Sequence, residues 1–205
     1  TNAIDCIHTT AASHGRVFIV EVMGHKVGSL TLHAGIAGGA DIILIPEIPY
    51  NIDSVISKIK QRAASGNGFT ILAVAEGAVS KKESEMSKKE YKQHMAELLE
   101  KYPSVSYAIA DKILKKTGKE VRVTVPGHMQ RGGTPCAYDR VLSSRLGTTA
   151  ALMISREEYG NMVAIQNHVI TSIPLKEIAG KLKTIDPKSD IITEARLLGI
   201  SFGDD

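Results

Sequence analysis

The sequence predicts an α/β fold in which a largely parallel sheet carries helices on both faces, a three-layer sandwich. Three short runs are almost wholly apolar, broken only by Glu21 and Thr70: Val17-Phe-Ile-Val-Glu-Val22, Ile42-Ile-Leu-Ile45 and Phe69-Thr-Ile-Leu-Ala-Val-Ala75. Strands buried on both faces lack the apolar/polar alternation of a half-exposed sheet. Between them lie stretches with helical spacing, and strand alternating with helix is the pattern of parallel crossover units.

The elements follow in order. Ala3, Ile4 and Ile7 repeat at helical spacing from the first residues, so Thr1 to Ile7 reads as a helix entered partway along. Ser29 to Ala37 is a small-residue helix closed by Gly38-Gly39. Asn51 caps a helix whose Ile52, Val55, Ile56 and Ile59 form one stripe. Ser80 to Met86 is polar and predicts a mobile loop. Ser87-Lys-Lys-Glu90 is a capping box opening a charged helix to about Tyr102, and Ser104 to Thr117 is a second helix stopped by Gly118. Glu120 to Val125 alternates as a strand and places Arg122 on the face opposite Val121 and Val123. A helix over Asp139 to Ile154 and a short strand over Met162 to Ile165 complete the reading.

Composition narrows the function classes. The 205 residues carry 25 Lys and Arg against 22 Asp and Glu, a net charge of +3 that is too balanced for a nucleic-acid partner. Cys6 and Cys136 are far apart and outside any Cys-x-x-Cys spacing, so neither a zinc site nor a disulfide framework is indicated. No apolar run approaches the roughly 18 residues that span a bilayer, which excludes a membrane partner of that kind. This composition agrees with a cytoplasmic enzyme part and adds little by itself.

Arg122-Val-Thr-Val-Pro-Gly-His128-Met-Gln-Arg131-Gly132-Gly133 sets two guanidinium groups and an imidazole around one strand end and a glycine loop. A guanidinium offers a planar fork that matches phosphate oxygens, and paired glycines let backbone amides approach a ligand. Spacing alone leaves two readings open: a grip on a phosphate, or a basic surface turn with a helix-capping glycine pair. Met23-Gly24, Glu47, Glu76 and the Gly127-His128 loop all follow strands, where ligands gather in parallel sheets. Taken singly, Glu76 also fits a solvated strand end, and Glu47 a carboxylate at a turn.

The order Arg, four residues, Gly-His-x-Gln-Arg-Gly-Gly, five residues, Asp139-Arg140 resembles the signature of the 6-phosphofructokinase family. Val20-Glu21-Val22-Met23-Gly24 is similar to its second landmark, and Pro46-Glu47 and Ala75-Glu76-Gly77 fall where the third and fourth would fall. The resemblance runs from about Ala3 to the region of Gln166. It implies a phosphofructokinase-like fold and phosphoryl transfer to the C1 hydroxyl of fructose 6-phosphate in glycolysis, from ATP or pyrophosphate with Mg2+. It implies that Glu76 binds sugar hydroxyls, that Met23 and Gly24 line the sugar, and that His128 and Arg131 hold its phosphate. Arg16, after Ser13-His14-Gly15, and Arg122 would reach that phosphate from a neighbouring subunit, which requires a homo-oligomer, a dimer or tetramer, with a shared site.

Two positions depart from the family pattern. His25 stands where Arg usually follows Met-Gly, and an imidazole cannot form the same bidentate clamp. Glu47 matches a carboxylate that faces the effector in the short regulated bacterial enzymes, yet the loop expected to hold effector phosphates reads Ser65-Gly66-Asn67-Gly68. That implies a vestigial effector site. The stretch from Ser80 to about Pro103 is longer than in those enzymes and resembles the branch that includes pyrophosphate-dependent members.

The family's Gly-Gly-Asp donor segment and its Thr-x-Asp-x-Asp base segment do not occur in these residues. The expectation is therefore a C-terminal portion, with no catalytic base and no metal ligand in this chain, inactive alone. Residues 1-128 would bind the sugar phosphate, 129-185 would belong to the donor domain, and 186-205 would return to the first. The alternative is a catalytically empty sugar-phosphate-binding or regulatory module. A generic nucleotide-binding domain fits less well, because no Gly-x-Gly-x-x-Gly follows Val17 to Val22.

Overall fold

The computed structural model describes residues 1–12 and 15–204. Ser13 and His14, part of the landmark before Arg16, lie outside the described residues. The chain divides into two compact units, Thr1–Gln130 with Thr184–Asp205, and Arg131–Lys183.

The first unit is built on four strands, β1 (Val17–Val22), β2 (Ile42–Leu44), β3 (Thr70–Ala75) and β4 (Val121–Thr124), in the order β2-β3-β1-β4. Every pairing is parallel, with Val17 level with Thr70 on one side and Val121 on the other. Its helices are α1 (Asn2–Ala11), α2 (Ser29–Ala37), α3 (Ile52–Ala64), the single turn α4 (Lys81–Ser84), α5 (Lys88–Lys101) and α6 (Val105–Thr117).

Both faces of the sheet are buried, which explains the nearly continuous apolar runs. Val17, Ile19, Leu72 and Val74 pack with Val55 and Ile59 of α3 and Ile109 and Ile113 of α6. The alternate residues Phe18, Val20, Ile71 and Ala73 pack with Ile4 of α1 and Leu32 of α2. The result is the three-layer α/β sandwich. Cutting Ile59 back to Ala would empty a fully buried site and cost about 2–5 kcal/mol.

Helix ends follow the sequence where capping is local. Asn51 Oδ1 accepts from Asp53 N at 3.0 Å, and Gly118 ends α6 with φ of 68°. At the start of α6 the partner is remote: Glu21, buried on β1, accepts from Ser104 Oγ at 2.5 Å and Ser106 N at 3.3 Å.

The polar stretch after Ser80 is not the irregular loop the sequence suggests. Ser80 and Glu83 form a capping box that opens α4, and Glu83 is buried against His94 of α5 at 3.0 Å. Burial alone would raise the Glu83 carboxyl, but hydrogen bonds from Ser80 and His94 hold it below the usual range. Ser80-Lys-Lys-Glu83 repeats the capping-box string of Ser87-Lys-Lys-Glu90, so the turn itself was legible in the sequence; only its partner His94 on the next helix was not.

The second unit contains α7 (Ala137–Ser155) packed on a hairpin of β5 (Asn161–Gln166) and β6 (Val169–Pro174), followed by the turn α8 (Leu175–Ile178). Asn167 and His168 link the strands with φ of 49° and 66°, the backbone of a two-residue type I′ turn. The chain then rejoins the first unit, where α9 (Asp190–Leu197) adds Ile192 and Ala195 to the core beside Ile4 and Leu32. Ser201 bonds beside β2, donating to Asp41 O and accepting from Ile43 N.

Candidate functional site

At the carboxyl ends of β1 and β3 two loops close onto each other. After Val22 the chain runs Met23-Gly24-His25; after Ala75 it runs Glu76-Gly77. Glu76 N donates to Val22 O at 2.9 Å, extending the ladder by one residue. The Glu76 carboxylate then turns back, and its Oε1 accepts from Gly24 N at 3.1 Å and His25 N at 2.7 Å. Such charge-assisted bonds fix the carboxylate with its second oxygen still available for bonding. His25 has φ of 55°, a left-handed conformation uncommon for a residue with a side chain. An open groove of about 700 Å³ lies beside this knot, lined by His25, Lys26 and Glu76 on one side and by Tyr91 and Met95 of α5 on another.

His128 arrives by a different route. Gly127–Arg131 is a 3-10 helix rather than an open glycine loop. Gln130 fastens it: Oε1 accepts from Met23 N at 3.0 Å and Nε2 donates to Gly127 O at 3.3 Å. The turn carrying His128 is thus tied to Met23-Gly24-Glu76, while the His128 side chain is exposed. Gln130 stood inside the motif without a role assigned to it.

Arg122 does not join His128 at one strand end, as the motif suggested. It is the second residue of β4, and Arg16 immediately precedes β1, so both lie at the amino ends of their strands. There Glu120 holds both. Its Oε2 is 2.5 Å from Arg16 Nε, and its Oε1 pairs with Arg122 Nη2. Alternation on β4 puts Glu120 and Arg122 on one face, a signal available in the sequence. A strand of six residues spans about 20 Å, which is the scale of the separation between the two groups. Arg131 opens the second unit.

Glu47 belongs to neither group. Both its oxygens accept from Gly28 N at 3.0 Å, at the start of α2, and Oε1 also accepts from Ile185 N at 3.2 Å. It caps a helix and pins the returning chain. Among the described residues no three His, Cys, Asp or Glu side chains group closely enough to hold a metal ion. These residues offer no three-carboxylate cage for Mg2+. Among those residues, too, no helix is long and apolar enough to cross a membrane.

A family model described as Phosphofructokinase matches residues 1–154. The chain belongs to the phosphofructokinase family. Every candidate residue from Arg16 to Arg131 falls within the matched stretch. Among similar proteins, the ATP-dependent 6-phosphofructokinase of Spirochaeta thermophila is 50% identical over 204 residues, covering 100% of this chain and 55% of the relative. The corresponding protein of Chloroflexus aurantiacus is 47% identical over 205 residues, again 100% and 55%. The chain thus spans about half the length of these phosphofructokinases.

Solved structures agree on the architecture. The phosphofructokinase of Pichia pastoris in the T-state is 37% identical with a TM-score of 0.66, over 86% of this chain and 19% of that one. A pyrophosphate-dependent phosphofructokinase from Marinobacter aquaeolei has a TM-score of 0.71 over 93% of this chain and 47% of that one; at 21% identity it speaks for the fold alone.

Proposed function

We propose that this chain supplies the sugar-phosphate half of a 6-phosphofructokinase, which transfers a phosphoryl group to the C1 hydroxyl of fructose 6-phosphate in glycolysis. The observation that carries the reading is the separation of its groups on one parallel sheet: Met23, Gly24, His25 and Glu76 at the carboxyl ends, Arg16 and Arg122 at the amino ends. One phosphate cannot touch both ends of the same sheet. A second copy that brings its amino-end arginines to the first copy's carboxyl end completes the site, so the protein works as a homo-oligomer.

In this reading Glu76, its Oε1 tethered to two amides, offers Oε2 to the sugar hydroxyls, with Met23 and Gly24 lining the sugar. His128 and Arg131 hold the phosphate by their place in the family motif. His25 lends its backbone to Glu76 and its ring to the groove. Positioning and charge neutralisation do the work in such transfers, with little covalent chemistry for the protein. Relatives at 50% and 47% identity are named ATP-dependent, which favours ATP over pyrophosphate, a choice the sequence left open. The sheet unit is the sugar-phosphate domain, the Arg131–Lys183 unit belongs to the donor side, and the protein is cytoplasmic.

The test is made in a protein of the relatives' full length. Arg122→Ala or Arg131→Ala removes a charge-assisted contact of roughly 1.5–3 kcal/mol, so the fructose 6-phosphate concentration for half-maximal rate rises about ten- to a hundredfold. An unchanged dependence in both variants would show that the motif is not the phosphate site.

A further inference from the structure

Arg16, immediately before β1, and Arg122, on the adjacent β4, are like charges, and the carboxylate between them gives one oxygen to each guanidinium. A carboxylate and a phosphate present the same face to a guanidinium, a pair of oxygens in its plane. The geometry points to Glu120 as a built-in stand-in for the phosphate, holding Arg16 and Arg122 facing each other until a phosphate group takes its place. This rests on the reading of Arg16 and Arg122 as phosphate ligands given above, and it names a residue that governs their affinity.

Three observations support it. The register sets Val17 beside Val121, so Arg16 and Glu120, each one residue earlier, are neighbours by backbone pairing and stay so when the side chains part. Val17 N donates to Glu120 O at 3.1 Å, which anchors the main chain independently of the carboxylate. The side chains remain 33% (Arg16), 46% (Glu120) and 59% (Arg122) exposed, so an anion reaches them without opening the core. A phosphate monoester carries up to two negative charges and three acceptor oxygens against Glu120's one charge and two oxygens, and it prevails for that reason. Glu120 then opposes it as a like charge close by. The carboxylate is therefore a brake on binding, and removing its charge tightens the grip.

Titration of the 205-residue chain, followed by the NMR signal of Arg16 Nε–H, measures this directly, with inorganic phosphate and fructose 6-phosphate as separate probes. In Glu120→Gln the midpoint is expected to fall roughly three- to tenfold, the scale of one like charge a few ångströms from a dianion. A fall with both probes assigns the effect to the phosphate group; a fall with fructose 6-phosphate alone assigns it to the sugar ester. Glu120→Asp, which keeps the charge and shortens its reach, is expected to lie between Glu120→Gln and the parent. Unchanged backbone amide signals over Val17–Val22 certify the fold of each variant. A midpoint that rises or stays in Glu120→Gln, while Arg122→Ala abolishes the response, overturns the role of Glu120 and leaves the arginines as phosphate ligands. A response that survives Arg122→Ala, or is absent from the parent chain, overturns both.

Discussion

A Cβ placed on Gly77 would stand 1.9 Å from the carbonyl oxygen of His25. The two loops that form the candidate site therefore meet backbone to backbone, and only a glycine allows the Glu76 carboxylate to reach the amides of Gly24 and His25.

Gly77→Ala is expected to push the His25 loop off Glu76. The clash is with main chain, which cannot swing aside as a side chain would, so the loss should be about 1–3 kcal/mol. Chemical denaturation of the 205-residue chain reads it. A stability equal to the parent's would mean the loops separate freely.

Gln130→Ala removes the acceptor for Met23 N. A hydrogen bond of this kind contributes about 1 kcal/mol net, so the Met23 amide should exchange with solvent roughly fivefold faster, and the turn carrying His128 should loosen with it. Hydrogen exchange resolved at Met23 checks this, and unchanged exchange would assign its protection to something other than Gln130.

Glu47→Ala strands the amides of Gly28 and Ile185. The expected loss is roughly 1.5–3 kcal/mol, the scale of bonds to a charged acceptor, seen as a lower denaturation midpoint. Because those bonds engage both carboxylate oxygens and Ser65-Gly66-Asn67-Gly68 brings no cation, a nucleoside diphosphate or phosphoenolpyruvate should leave the fructose 6-phosphate curve of the full-length protein unmoved. A shift of that curve that disappears in Glu47→Ala would restore an effector role.

Glu83 makes stability depend on pH with a definite sign. Its folded-state carboxyl lies below the ordinary 4.5, so its contribution is complete above that value and is lost as pH falls through the folded-state value. Glu83→Gln should be less stable than the parent at pH 7, by roughly 1–3 kcal/mol, and the gap should narrow below pH 4.5. Thermal melts of both proteins from pH 7 to pH 3 test it; a gap that stays constant or widens in acid would contradict the assignment.

Local pattern carried far in this chain. The apolar runs at Val17, Ile42 and Phe69 and the stripe Val55, Ile56 and Ile59 became the strands and helix expected of them, because burial on both faces of a sheet leaves its mark residue by residue. The motif around Gly127 pointed to the family for a similar reason, being a contiguous stretch. The missed hairpin was only half legible: Asn167 suits the left-handed backbone of a two-residue turn, but His168 stands where a glycine is preferred.

What only the tertiary structure decided are the partners. Met23 and Gln130 are 107 residues apart, Gly24 and Glu76 are 52 apart, and Glu47 and Ile185 are 138 apart. Parallel pairing brings distant segments side by side, and no periodicity within a segment encodes which neighbour it will meet. The same pairing, Val17 beside Val121, gave Glu120 its distant partner Arg16. Sequence fixes which residues lie at strand ends; the direction of the strands decides which end each one occupies.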